Sequence, residues 1–352
     1  MIKTNTTRLF KILRPFYESG FAILIGLTGA MLILWISGHD PLSILRYGLY
    51  FSLFTKSGFL RTLSYATPLI LTATTWAIGM KVGLFNIGAE GGIMMGAGAT
   101  IAASIFALPP GLHHLVAIIF AMGAGILLAL PIAFLKIKRN VHEVVSTIML
   151  NWIAIFFLRF LVIGPLRDPI SPRRAIRIPP SSRFPILVEG STLTAAIIVA
   201  IAFSIIVYVF LWYTKTGQHI KAAGFNQNVA RNAGINVPWM ITLAFIIGGA
   251  AAGLAGCALT AGLPPLWTVS EKIDTLTGYG FEGIGVAMIG RNHPIGCIFA
   301  AVFFGALLTS QSYIQIFTGV QAETAKIITG IIIMVLALPE ILRIIRRKRG
   351  RE

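Results

Sequence analysis

Three carboxylates interrupt otherwise apolar stretches of this sequence, each with polar or glycine neighbours at helical spacing. In GLFNIGAEGGIMMGAGAT, residues 83–100, Asn86 and Glu90 lie four apart and share a helix face. In HEVVSTIMLNW, residues 142–152, Glu143, Thr147 and Asn151 recur every four residues. In GYGFEGIGVAMIGRNHPIG, residues 278–296, Glu282 stands among Gly280, Gly283 and Gly285. A carboxylate in the middle of a bilayer costs about 3 kcal/mol or more, so such groups face protein or a water-lined path. The chemistry open to them is transient contact with a polar solute or an ion. Asn86, Glu90, Asn151 and Glu282 are therefore candidates for lining or gating a translocation pathway. A second reading stays open beside this one, with Glu90 and Asn151 as polar clamps between helices and Glu282 at a packing corner. Glu143 directly follows the basic turn KIKRN and is expected to stay solvated or to pair with Lys136 or Arg139.

These side chains need elements to hold them. Gly88, Gly92 and Gly96, continued by Thr100, repeat every four residues and form a small-residue stripe that another helix backbone can approach. The glycine density around Glu282 lets a helix unwind, which a membrane protein tolerates where the backbone is packed or wetted. Composition supports membrane helices throughout. Of 352 residues, 56% are hydrophobic and 12% charged, where a soluble domain carries about 25% charged residues. At about 20 residues per span, the apolar stretches predict an all-α, polytopic membrane protein of about ten transmembrane helices. They lie near 21–36, 62–80, 86–107, 115–135, 144–163, 192–213, 239–261, 279–290, 295–310 and 325–342. The 279–290 stretch is short and is expected to be broken or re-entrant. The 21–36 stretch follows a basic tail as a signal peptide would, yet no A-x-A-like cleavage site follows it, and it reads as a retained first span.

Assigning alternate connections to the two sides places most of the 29 Lys and Arg on one of them, which the positive-inside rule makes cytoplasmic together with both termini. The expected organisation is a cytoplasmic tail over 1–19, a transmembrane domain over 20–342 and a basic cytoplasmic tail over 343–352. Residues 40–57 mix aromatics with Arg46 and Lys56 and read as interfacial. The Pro- and Arg-rich loop 164–191 falls outside the cell, and the loop 214–237 falls inside. In the inner loop Asn226 can cap a short helix over 227–233, and Gly234 can supply its left-handed stop. With Gly224 on its other flank, that helix offers a compact surface for a cytoplasmic partner, or is simply a capped loop helix.

Several function classes are excluded or disfavoured. A net charge of +17 suggests nucleic acid in a soluble protein, but here the charge sits at membrane edges, so no nucleic-acid partner is expected. Cys257 and Cys297 lie alone in apolar segments and read as free buried thiols, neither a disulfide nor a metal site. His113–His114 reads as an interfacial pair. No G-x-x-x-x-G-K-[ST], H-E-x-x-H or G-x-S-x-G pattern occurs, so no catalytic residue, metal site or ATP hydrolysis is assigned to this chain.

Four ordered motifs, FNIGAEGGIMMGA, NVHEVVSTIMLNWIA, KAAGFNQNVARNAGINV and GYGFEGIGVAMIGRNHPIG, resemble the permease subunits of bacterial ABC importers of the branched-chain amino acid, ribose and nucleoside group. The likeness covers about residues 60–340 and is greatest to the nucleoside permeases. It implies a non-enzymatic helical subunit of the bacterial cytoplasmic (inner) membrane, embedded in lipid and carrying no cofactor of its own. Its implied partners are a second permease, homologous or identical, a cytoplasmic ABC ATPase that holds ATP and Mg, and an extracytoplasmic substrate-binding lipoprotein. By the same resemblance, the segment containing Gly224, Asn226, Ala230, Arg231 and Gly234 is the coupling helix that enters a cleft on the ATPase. One departure is visible: Glu90-Gly91-Gly92 stands where close relatives usually carry E-G-Q. Two other functions fit the residues, an ion-coupled secondary transporter using Glu90, Glu143 or Glu282, and an ABC permease for a sugar or other small polar solute.

Overall fold

The computed structural model describes residues 46–265 and 267–318, with isolated positions between 28 and 42 and at 330. The expected spans 21–36 and 325–342, and both tails, lie outside the described stretches. Among the described residues, ten α-helices follow a short helical segment over 46–54: α1 (Lys56–Lys81), α2 (Ala89–Ala103), α3 (Leu112–Arg139), α4 (Glu143–Ile163), α5 (Ala196–Tyr213), α6 (Lys215–Phe225), α7 (Gln227–Asn232), α8 (Val237–Ala261), α9 (Tyr279–Ile289) and α10 (Pro294–Thr318). Among the described residues the only β-pairing is three isolated bridges. Five of the helices, α3, α4, α5, α8 and α10, are long and apolar enough to cross a bilayer, and the chain is an all-α polytopic membrane protein.

Two compact units divide the chain, Leu60–Gly305 in one and Met1–Phe59 with Ala306–Glu352 in the other. In the second unit Phe317 stacks on Tyr47 and Phe51 at 5.1 and 4.7 Å. The first holds every candidate residue named above. Its centre is α8, of whose most apolar stretch 78% is buried, against 33% for α3, α4 and α5. The outer faces of those three are apolar as well, with Ile119 and Leu127 on α3, Trp152 and Phe156 on α4, and Ile198 and Ile206 on α5 all exposed. Apolar side chains facing outward are what lipid selects.

Glycine decides how closely α8 is approached. A Cβ on Gly96 of α2 would strike the Gly253 backbone of α8, and a Cβ on Gly253 would strike the Ala121 carbonyl and come within 3.2 Å of the Gly125 nitrogen on α3. The expected stripe is thus used at Gly92 and Gly96. Gly88 is the N-cap of α2 and lies outside it, with Ile132 and Thr147 as side-chain neighbours. Gly92 has no room for a longer residue unless Ala252 yields.

Several boundaries differ from expectation. The 86–107 stretch yields a helix of only 15 residues, about 22 Å long, because residues 86–88 belong to the turn that enters it and the helix already stops at Ser104, its C-cap. Helix α1 starts at Lys56, within the segment expected to be interfacial, where Thr55 Oγ1 accepts a hydrogen bond from the Gly58 N–H at 3.2 Å. Helix α9, at 11 residues, is as short as anticipated.

The 164–191 loop is pinned to residues 262–278. Ala175 and Ile178 donate backbone hydrogen bonds to Val269 and Trp267 at 2.9 and 2.8 Å, and Arg183 lies 5.2 Å from the Trp267 ring centroid. The histidine pair fastens the same loop to α3. His113 hydrogen-bonds Ser181 at 2.9 Å, and His114 meets the Arg183 carbonyl. Cys257 and Cys297 are buried free thiols, as anticipated.

Candidate functional site

The two polar stripes read from the sequence meet each other. The turn from α1 to α2 runs past the inner face of α4, and three side chains of that face line it: Glu143, Thr147 and Asn151. The Phe85 N–H donates to Glu143 Oε1 at 3.3 Å, and the Thr147 methyl lies 3.4 Å from where a Cβ on Gly88 would be. Asn151 takes both of its amide roles here. Its Oδ1 accepts from the Gly91 N–H at 2.8 Å, and its Nδ2 donates to the Ile87 carbonyl at 3.0 Å. Lys136 closes the set from the end of α3 with a 2.8 Å salt bridge to Glu143, one of the two partners expected for it. Asn86, also buried, accepts from the Gly88 N–H at 2.9 Å and so shapes the turn from within.

Glu90 is 3% exposed, and its carboxylate is spent on backbone. Oε1 accepts from the Gly278 N–H at 2.7 Å and Oε2 from the Gly280 N–H at 2.9 Å. Gly278 is the N-cap of α9, so the charge of Glu90 satisfies donors that the first turn of a helix leaves unpaired and sits at the positive end of its dipole. Neither glycine admits a side chain without loss. Gly278 has a φ of +100°, and a Cβ on Gly280 would lie 2.6 Å from the Glu90 Cα. These two donors were not read from the sequence; the only signal was the pair of glycines flanking Tyr279.

Glu282 differs. It lies in the first turn of α9, half-buried, and among the described residues its carboxylate makes no hydrogen bond or salt bridge. The next residue, Gly283, packs so closely on α1 that a Cβ there would come within 2.7 Å of the Thr72 side chain. Three of the four pathway candidates, Asn86, Glu90 and Asn151, are thus brought together in one hydrogen-bonded junction, and Glu282 stands one helical turn from it with its carboxylate uncommitted.

At the other end of the turn lies the 214–237 loop. Asn226 caps α7 as expected, its Oδ1 accepting from the Asn228 and Val229 N–H groups at 3.0 and 3.1 Å, and Gly234 has a φ of +81°. Unforeseen was α6, capped by Thr214 through the Gly217 N–H at 3.1 Å. Gly224 therefore lies inside a helix rather than beside one. It is the point where α6 touches α1, since a Cβ there would strike the Lys81 carbonyl and lie 3.1 Å from the Gly83 nitrogen. Ala230 is buried in a cluster with Val237 and Phe245, whereas Arg231, Phe225 and Val229 face outward, the last two at 91% and 63% exposure.

The family model described as the permease component of branched-chain amino acid transport systems matches residues 58–337. The guanosine ABC transporter permease protein NupP of Bacillus subtilis is 33% identical over 93% of this chain and 94% of its own. The nucleoside ABC transporter permease protein NupB of Lactococcus lactis is 31% identical, covering 98% and 95%. The glucose ABC transporter permease protein TsgB13 of Haloferax volcanii is 31% identical, covering 86% and 81%.

Proposed function

The chain belongs to the permease-component family of the branched-chain amino acid transport systems, and from that membership we propose that it forms half of a pore through which a nucleoside enters the cell. Its standing as an ABC importer permease rests on the family itself, with ATP hydrolysis on a separate subunit. The observation that carries the nucleoside reading is near-complete coverage by two relatives whose names specify guanosine and nucleoside. The glucose permease, at 31% identity, supports a second reading in which the solute is a sugar.

In this proposal both termini and the 214–237 loop are cytoplasmic, the 164–191 loop faces the substrate-binding lipoprotein, and a second permease completes the pore. The ATPase grips α7 and the end of α6. Phe225 and Val229, four residues apart and bare of intramolecular contacts over most of their surface, supply the apolar anchor of that grip. Ala230 holds the helix to the body of the permease from the opposite face. Movement of α6 reaches the α1–α2 turn through Gly224 against Lys81 and Gly83. It then passes along that turn to Glu90 and so to the start of α9, where Glu282 is the group free to meet the passing solute. Close packing transmits the displacement because packed interfaces switch between arrangements instead of deforming gradually.

Replacing Val229 by Asp is expected to lower uptake about tenfold or more, while the variant inserts and purifies as a monodisperse protein; normal uptake would remove α7 from the ATPase interface. The solute is tested by restoring this chain to cells that lack it. Labelled guanosine should then accumulate, unlabelled nucleosides should compete and glucose should not. Competition by glucose alone selects the sugar reading.

A further inference from the structure

Where α1 and α5 end, two lysines share one indole. The Lys81 ammonium lies 5.4 Å and the Lys221 ammonium 4.7 Å from the Trp212 ring centroid. His293, in the turn before α10, lies 4.4 Å from Trp212 and 5.2 Å from Tyr208. The Tyr208 and Tyr213 hydroxyls meet at 3.5 Å. Among the described residues neither lysine forms a salt bridge, and the two ammoniums repel one another. Burial, with the Lys81 charge as the second cause, holds the His293 imidazole below its usual pKa, so the ring adds no third positive charge at neutral pH. Lys81, Trp212, Lys221 and His293 are all half-buried, walled by rings yet open to the outside.

A structural cation–π contact needs one cation; a second, brought in against repulsion and without an acidic partner, calls for an anion between the two. The level at which they sit narrows the choice. Lys81 is the last residue of α1 and Trp212 the penultimate residue of α5, where an apolar helix gives way to a polar loop and where lipid phosphates lie in a bilayer. Toward the membrane interior, α5 presents exposed Ile198, Ile205, Ile206 and Val209. We propose that Lys81, Lys221, Trp212 and His293 form a binding site for the phosphate of an acidic phospholipid, whose acyl chains cover the apolar face of α5. A free phosphate or an acidic protein segment would leave that face bare. The proposal rests on the chain crossing the membrane and not on the identity of its solute.

The test uses the full-length chain in nanodiscs of phosphatidylcholine alone or of equal parts phosphatidylcholine and phosphatidylglycerol. The readouts are retained phosphatidylglycerol by native mass spectrometry and the thermal unfolding midpoint. Phosphatidylglycerol should raise the midpoint of the unmodified chain, and the double variant Lys81→Met, Lys221→Met should bind it about thirty-fold more weakly, roughly five-fold for each lysine. The variant Lys81→Arg, Lys221→Arg should keep the gain, and all three proteins should unfold alike in phosphatidylcholine. Should the double methionine variant not fold there, Lys221→Met alone carries the comparison with a five-fold expectation. Equal retention by the methionine variants and the unmodified chain overturns the proposal. So does a full midpoint gain from inorganic phosphate in phosphatidylcholine, which assigns the site to a free anion. Loss of ATPase copurification with lipid retention unchanged likewise overturns it in favour of an acidic protein partner.

Discussion

Replacing Glu90 by Gln should lower thermal stability and uptake together. The glutamine has nearly the same shape, but it offers one acceptor and one donor where Gly278 and Gly280 present two N–H groups. One donor at the start of α9 is left facing another donor, and the charge that complements the dipole of that helix is gone. With hydrogen bonds to a charged group contributing about 1.5–3 kcal/mol each, the loss should be about 3 kcal/mol, read as a lowered unfolding midpoint in nanodiscs. Shortening the arm with Glu90→Asp should also fail to rescue, since the carboxylate can no longer reach both glycines. A solute-contacting Glu90 behaves differently: uptake falls while the unfolding midpoint stays put. That separation, if measured, would move Glu90 from the junction to the pathway. Glu282→Gln is the natural contrast, because it removes no hydrogen bond among the described residues and should spare the midpoint while reducing uptake.

The second large effect is expected at Gly253. Valine there has no space against α3, because the Cβ alone meets the Ala121 carbonyl and the Gly125 backbone, and none of these atoms belongs to a flexible side chain. Helices α3 and α8 would have to separate, taking α2 with them through Gly96 and Gly256. Overpacking costs of about 3 kcal/mol or more follow, and the variant should be degraded or aggregate on extraction. Gly123→Ala is the matched control within α3. Nothing lies within 4 Å of its Cβ position, so the exchange should be neutral or add up to about 1 kcal/mol of helix propensity. Loss of the protein in both variants would show that α3 tolerates no change at all and that the contact with α8 is not the cause.

Much of the architecture was legible because lipid imposes a simple rule on sequence. Stretches such as 144–163 and 239–261 became α4 and α8 with their ends shifted by only a few residues, since uninterrupted apolar runs leave the backbone no partner except itself. The cap at Asn226 and the stop at Gly234 were equally local and equally legible. Helix α6 was missed because its sequence, KTGQHIKAAGF, has two glycines and mixed polarity; burial of Ile220 and Ala223 against α5 and α8 sustains it instead of its own propensity. Helix α2 is shorter than the apolar stretch that contains it, because Ile105, Phe106 and Ala107 continue the apolar run in sequence while the backbone already turns at Ser104.

The stripes themselves follow from spacing alone: residues four apart share a helix face whatever the rest of the chain does, so Asn86 with Glu90, and Glu143 with Thr147 and Asn151, could be grouped without coordinates. Which stripe faces which could not, because a helical period fixes a direction around its own axis and says nothing of the neighbour. Only the packed chain sets the α4 stripe against the α1–α2 turn and turns Glu90 into the cap of α9, 188 residues further along. The same packing leaves the Glu282 carboxylate without a hydrogen bond or salt bridge among the described residues and brings Lys81 and Lys221 to one indole, since backbone donors, carbonyls and charges distant in sequence become neighbours only once the glycine-faced helices have closed on one another.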